Sequence, residues 1–169
     1  MEISSESRPP AMRYLPEIAK QFPVSLSIFG LVRTHKAVAA SMLASIGLYP
    51  GQEILLMQLD AEEGQSQKAL CNVLRVDHST ITKSVSRLEK AGLVSRRKAE
   101  HDERVNLITL TSEGDELRKR VVQIWSELET VTTSTLSRAE QENFVTLAEK
   151  LAEGLEIHIE TAANRKRNT

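Results

Sequence analysis

Apolar positions along this chain fall into helical stripes, broken once by a stretch of alternation. After Pro23, Leu26, Phe29, Val32, Ala39, Met42 and Ile46 recur at steps of three or four, with one gap of seven. That spacing predicts a long helix stopping near Gly47. Residues 14–22, with Pro16 near their start, predict a short helical turn, and the polar, proline-containing residues 1–12 predict disorder. Pro50 opens a second helix, from Gly51 to about Ala61, with Ile54, Leu55 and Leu59 inward and Glu62-Glu63-Gly64 closing it. Ser66 is placed to cap a third helix, with Leu70, Cys71 and Leu74 inside. Asp77 is placed to cap a fourth, where Ile81, Val85 and Leu88 lie at i, i+4 and i+7 and Gly92 ends the run. The period then changes. Residues 93–98 and 105–110 read as two strands, with Ala99 to Arg104 as the hairpin tip. Two long helices follow. The first carries Leu117, Val121, Ile124, Leu128 and Val131. The second starts at the capping box Ser137-Arg-Ala-Glu140 and carries Phe144, Leu147, Leu151 and Leu155.

Two short helices, a tight junction and a hairpin predict a mainly α fold: a winged helix-turn-helix with a two-stranded wing, flanked by long N- and C-terminal helices. The expected organisation is an N-terminal extension over 1–22, a DNA-binding winged helix-turn-helix domain over 49–112, dimerisation helices over 23–48 and 113–160, and a basic disordered tail over 161–169. The outer stripes exceed what a ~60-residue winged helix needs to cover. The surplus implies a partner, most simply a second copy of the chain, hence a homodimer.

Charge sharpens this picture. The 169 residues are 40% apolar, 27% charged and only 4% aromatic, with net charge −1, so the whole chain is not a polycation. Between Arg75 and Lys98, however, seven basic side chains stand against two acidic ones, a local excess of +5. The bland reading is a solvated helix face; the sharper one is an electrostatic footprint for nucleic acid. No apolar run approaches the ~20 residues of a membrane span, so no membrane partner is expected. The polar N-terminus lacks a signal-peptide core, and the single Cys71 cannot form an internal disulfide. Both point to the cytoplasm.

The run Val76-Asp-His-Ser-Thr-Ile-Thr-Lys-Ser-Val-Ser-Arg-Leu-Glu-Lys-Ala-Gly-Leu-Val94 resembles the recognition helix of the MarR family of bacterial transcriptional regulators, with its exit into the wing. Asp102-Glu103-Arg104 is similar to the family's Asp-x-Arg wing motif. Leu107-Ile-Thr-Leu-Thr-Ser-Glu-Gly114 resembles the passage from wing to fifth helix, and Tyr49-Pro-Gly-Gln52 the approach to the second. The resemblance spans roughly residues 24 to 155. It implies a homodimer on a pseudo-palindromic double-stranded operator, more often a repressor, and in many members release of DNA by a small aromatic or phenolic effector. Two positions depart from it. The turn between the two helices usually holds Gly and here holds Arg75. Either the turn differs, or an Arg is held at positive φ at a cost on the order of 1 kcal/mol. The tip Glu100-His-Asp-Glu103 is also more acidic than a phosphate-facing loop should be.

On the fourth helix, Ser79, Thr80 and Lys83 are candidate base readers, and Thr82, Ser86 and Arg87 candidate phosphate or rim contacts. Lys83 can donate to guanine O6 or N7. Arg75, Arg96, Arg97 and Lys98 complete the expected cationic surface. By the family match, Arg104 reaches the minor groove or its phosphates with Asp102 holding it; the alternative is an ordinary hairpin ion pair. His78 is a phosphate contact or neutral filler. Cys71 reads as core packing, with a redox-sensing thiol as the alternative. Effector-lining candidates are Phe29, Arg33, His35, Met42, Tyr49 and Trp125, each of which can equally be packing. No metal-ligand spacing, phosphate loop, nucleophile elbow or carboxylate pair is present, so neither a metal, a cofactor nor an enzyme activity is expected. The competing classes are an architectural DNA binder without effector and a protein-interaction module that kept the fold.

Overall fold

The computed structural model describes residues 20–59, 61–99 and 102–167, and only the backbone of residues 102, 103, 163, 166 and 167. The expected N-terminal turn and most of the extension lie outside the described residues, as do Glu100 and His101 of the hairpin tip. The elements run α1 (Pro23–Ala44), α2 (Gln52–Gln58), β1 (Gln65–Ser66), α3 (Gln67–Leu74), α4 (His78–Lys90), β2 (Val94–Ala99), β3 (Asp102–Leu110), α5 (Ser112–Thr133) and α6 (Arg138–Arg167). The fold is mainly helical with a small antiparallel sheet. The chain separates into two compact units, divided between Leu128 and Glu129.

The first unit is built on one apolar cluster. Leu55, Leu56 and Leu59 of the α2 region, Leu70 of α3, and Ile81, Val85 and Leu88 of α4 join Ile108, Val121 and Leu43 in it. All ten are at most 2% exposed. The three α4 side chains alone contribute ~1.5–3 kcal/mol each. That burial fixes which face of α4 remains outside.

Local chemistry sets the ends. Ser66 Oγ accepts from the Ala69 amide at 3.1 Å, and Asp77 Oδ1 accepts from the Thr80 amide at 2.9 Å. Both are N-caps satisfying amides that have no helical partner. Arg75 closes α3 at φ 51°, the only positive-φ non-glycine among the described residues. So the turn keeps the left-handed geometry expected of Gly, and Arg bears its cost. In α5, Gly114 lies against the Leu93 carbonyl, where a Cβ would collide with backbone. Thr111 joins the same corner: its hydroxyl donates to the Gly92 carbonyl at 2.7 Å and accepts from the Gly114 amide at 3.0 Å. The Thr-x-x-Gly of the wing-to-helix run therefore has a packing reason.

Several expectations change in this unit. The second helix ends at Gln58 rather than near Ala61, because Leu59 turns to extended backbone to bury its side chain. The sheet has three strands in the order β1-β3-β2, since Gln65 and Ser66 pair with Ile108 and Leu107. The hairpin tip is shorter than Ala99–Arg104: Ala99 pairs with Asp102 after a register shift at Lys98. On α1, Leu43 and Gly30 are the buried positions, while Phe29 is 63% and Val32 45% exposed.

In the second unit, Ser137 and Glu140 form the expected reciprocal box. The Ser137 amide donates to Glu140 Oε2 at 2.8 Å, and the Glu140 amide donates to Ser137 Oγ at 3.4 Å. Helix α6 then runs through Arg167, where an unstructured basic tail from 161 was expected. Its stripe is open: Phe144, Leu147, Leu151 and Leu155 are 44–61% exposed.

Candidate nucleic-acid interface

With Ile81, Val85 and Leu88 buried, the helical period turns Ser79, Lys83, Ser86 and Lys90 to the opposite side of α4. Ser79, Thr80, Lys83 and Arg87 are exposed, and Thr82 and Ser86 are half-buried at the flanks. The expected reading face thus lies on a single surface.

Three of its hydroxyls are already engaged. Ser79 Oγ donates to Asp77 Oδ1 at 2.5 Å and Thr80 Oγ1 donates to Asp77 Oδ2 at 2.6 Å. These bonds, Ser79's first and Thr80's next, hold the Asp77 carboxyl well below the usual carboxylate range. Thr82 Oγ1 donates to the His78 carbonyl at 2.8 Å and lies 3.2 Å from His78 Nδ1. His78 is therefore tied to a flank hydroxyl rather than standing as an isolated surface ring.

The cations separate into groups. The Arg87 guanidinium carbon lies 5.6 Å from the Tyr49 ring centroid, within cation–π range. Arg96 pairs with Glu89 at 3.0 Å across an exposed surface, worth ~0–1 kcal/mol and open to exchange for a phosphate. Arg97 is different. It donates to the carbonyls of Glu62 and Glu63 at 2.6 and 2.7 Å, bracing the loop before β1. That is a structural strut with no signal in the local sequence. Lys98 is exposed on β2. Arg104 is exposed on β3, and the Asp102 side chain expected to hold it lies outside the described residues.

The expected effector residues are not gathered into one wall. Phe29 and Arg33 are exposed on α1, and Met42 lies 13 positions beyond Phe29, ~20 Å along the axis. His35 is half-buried, and Trp125 packs at the edge of the core. Of the six, Tyr49 lines a cavity beside α4. That cavity has about 470 Å³ and is bounded by Leu48, Tyr49, Gln52, Arg87, Leu88 and Leu93. The turn beside it is held by Gln52 Oε1, which accepts from the Tyr49 amide at 2.8 Å, and by Glu53 Oε2, which accepts from the Gly51 amide at 2.6 Å. Burial pushes the Glu53 carboxyl up despite that bond. Cys71 is half-buried against the core, as packing requires. No cluster of metal-ligating side chains and no helix able to cross a membrane occurs among the described residues.

The sequence model of the MarR family matches residues 46–105, from the turn before α2 through the wing. Over these residues the chain is similar to the MarR family. It is 28% identical over 119 residues to the HTH-type transcriptional regulator BilQ of Clostridium symbiosum, covering 70% of this chain and 83% of that one. It is 37% identical over 76 residues to the organic hydroperoxide resistance transcriptional regulator of Bacillus subtilis, covering 45% and 51%. Among solved structures, a mutant MarR from E. coli complexed with operator DNA superposes with TM-score 0.73 at 21% identity, covering 81% and 99%. The winged-helix region of this chain is that of a DNA-binding transcriptional regulator, and the relatives it matches are transcriptional regulators.

Proposed function

We propose that two copies of this chain bind a pseudo-palindromic operator as a repressor in the cytoplasm. Each copy lays α4 into a major groove, and the two helices sit about one DNA turn apart, ~34 Å. The carrying observation is the division of α4: three apolar side chains at most 2% exposed on one side, and Ser79, Lys83, Ser86 and Arg87 presented elsewhere. In this reading Ser79, Thr80 and Lys83 face base edges. Arg75, Thr82, Ser86, Arg87, Arg96, Lys98 and Arg104 serve phosphates or the rim, and Arg97 holds the loop behind them. The exposed stripe of α6 and the exposed apolar residues of α1 support self-association.

Release is assigned to the cavity beside Tyr49. Its volume falls within the range for small ligands, and an aromatic ring beside a guanidinium suits an aromatic acid. A ligand carboxylate on Arg87 would offset the charge it offers a DNA phosphate, so ligand and operator are coupled through it. Selection of bound sequences from random duplexes, followed by titration with hydroxybenzoates, tests both parts. A palindromic consensus weakened by ligand in the wild type, and less so in Tyr49→Ala, is expected. A non-palindromic consensus overturns the paired reading, and ligand-indifferent affinity overturns the release step.

A further inference from the structure

The hydrogen-bond network at the start of α4 carries information about which bases that helix can read. An ionised carboxylate has no proton to give. In both short contacts at Asp77 the hydroxyl must therefore be the donor, so the protons of Ser79 and Thr80 point at Asp77 and not outward. Thr82 likewise donates, to the His78 carbonyl. Both side chains tied to Asp77 are exposed, so what they offer outward is lone pairs only.

We propose that Asp77 sets the polarity of the reading face, making Ser79 and Thr80 acceptor-only toward DNA, so that α4 selects an exocyclic amino group, adenine N6 or cytosine N4, beneath them. This rests on α4 entering the major groove. Hydroxyls in general are ambiguous readers, able to donate to a keto oxygen or accept from an amino group. Here the ambiguity is removed. To donate to thymine O4 or guanine O6, either hydroxyl must give up a charge-assisted bond, roughly twice as strong as a neutral one. If Thr80 turns away, Asp77 Oδ2 also loses its hydroxyl donor, whereas Oδ1 keeps the Thr80 amide when Ser79 turns away. Every base pair shows an amino group on one base and a keto group on the other, and the two exchange strands when the pair is reversed. A fixed acceptor thus distinguishes A or C from G or T on the strand it faces, without distinguishing A from C. Lys83 follows Ser79 by one helical turn, ~5–6 Å between Cβ atoms. It can only donate, so the next contact is to an acceptor such as guanine N7 or O6. The face reads an amino group followed by an acceptor.

The test is random-duplex selection with the full chain as wild type, Asp77→Asn and Ser79→Ala. Asn caps a helix about as well as Asp, but its amide N–H donates to one hydroxyl and releases that proton to the groove. The wild type is expected to favour amino over keto bases about tenfold at one or two positions, an ordinary discrimination for one base contact. Asp77→Asn is expected to bring this to about twofold or to reverse it, while binding to unrelated duplex holds or rises as a negative charge is removed. Ser79→Ala is expected to erase the preference at a single position. If Asp77→Asn fails to fold, Asp77→Ser, also a strong cap, is read in the same way. An amino preference unchanged in the capping variant overturns the proposal, as does a keto preference in the wild type. Absence of wild-type binding to any duplex instead overturns the groove reading beneath it.

Discussion

Helices α4 and α6 carry the same kind of apolar stripe and meet opposite fates. In α4, Ile81, Val85 and Leu88 are at most 2% exposed, while in α6, Phe144, Leu147, Leu151 and Leu155 stay 44–61% exposed. Spacing of three and four residues specifies that a face will be buried; it does not specify against what. The stripe of α4 is satisfied within its own fold, which leaves the opposite face exposed, the face proposed above to meet DNA. The stripe of α6 stays open in the single chain; in the proposed pair a second copy covers it and sets the separation of the two α4 helices.

The comparison can be broken at either end. Leu147→Glu with Leu155→Glu is expected to prevent self-association in sedimentation. Operator affinity should fall ~100- to 10,000-fold as two linked binding events become separate ones. Leu88→Ala is expected to lower unfolding free energy in urea by ~2–5 kcal/mol, through reduced burial and a residual cavity. Leu147→Ala, measured at dilutions where the chain is monomeric, should stay within ~0.5 kcal/mol of the wild type. Lys83→Ala with Arg87→Ala should cost ~1–3 kcal/mol of operator affinity and reduce the salt slope by about one for each phosphate no longer neutralised, with the fold intact by circular dichroism. Arg75→Gly should be more stable than Arg75→Ala by on the order of 1 kcal/mol, because φ 51° suits glycine.

The smallest expected effect concerns acid. The folded-state pKa of Asp77 is depressed, so its contribution is present above the ordinary value of 3.8 and fades as pH falls through and below it. Glu53 has the opposite sign. Its pKa is raised from 4.5, so burial of its charge costs stability above that value and the cost is relieved as pH falls. Acid unfolding curves of Asp77→Asn should be flatter below the usual carboxylate range, and those of Glu53→Gln steeper. Unchanged curves for both variants would remove these two groups from the account.

Much of the winged helix was legible because its signals are local. The Ser66 and Asp77 caps, the Ile81-Val85-Leu88 edge and the Ser137–Glu140 box each lie within a few residues of the structure they set. The tension at Arg75 was legible too, since a single position carried it. What escaped depends on distant partners. The two-residue strand at Gln65 exists only because Ile108 lies beside it, 43 positions away. Arg97 reads as one more cation of a basic patch, yet the carbonyls of Glu62 and Glu63 claim it. On α1, periodicity finds an apolar helix but not which side its own fold covers, so Phe29 and Val32 read as inward and lie outside. The Tyr49–Arg87 stack has no sequence signal at all, whereas the Asp77 clamp does: hydroxyls two and three residues after an Asp cap.

The most direct test of the central claim is equilibrium binding to a selected operator and to the same operator with ~5 base pairs inserted between its half-sites, a half turn of the duplex. A rigid pair of α4 helices predicts near-complete loss of specific affinity for the lengthened site. Equal affinity for both duplexes would contradict it.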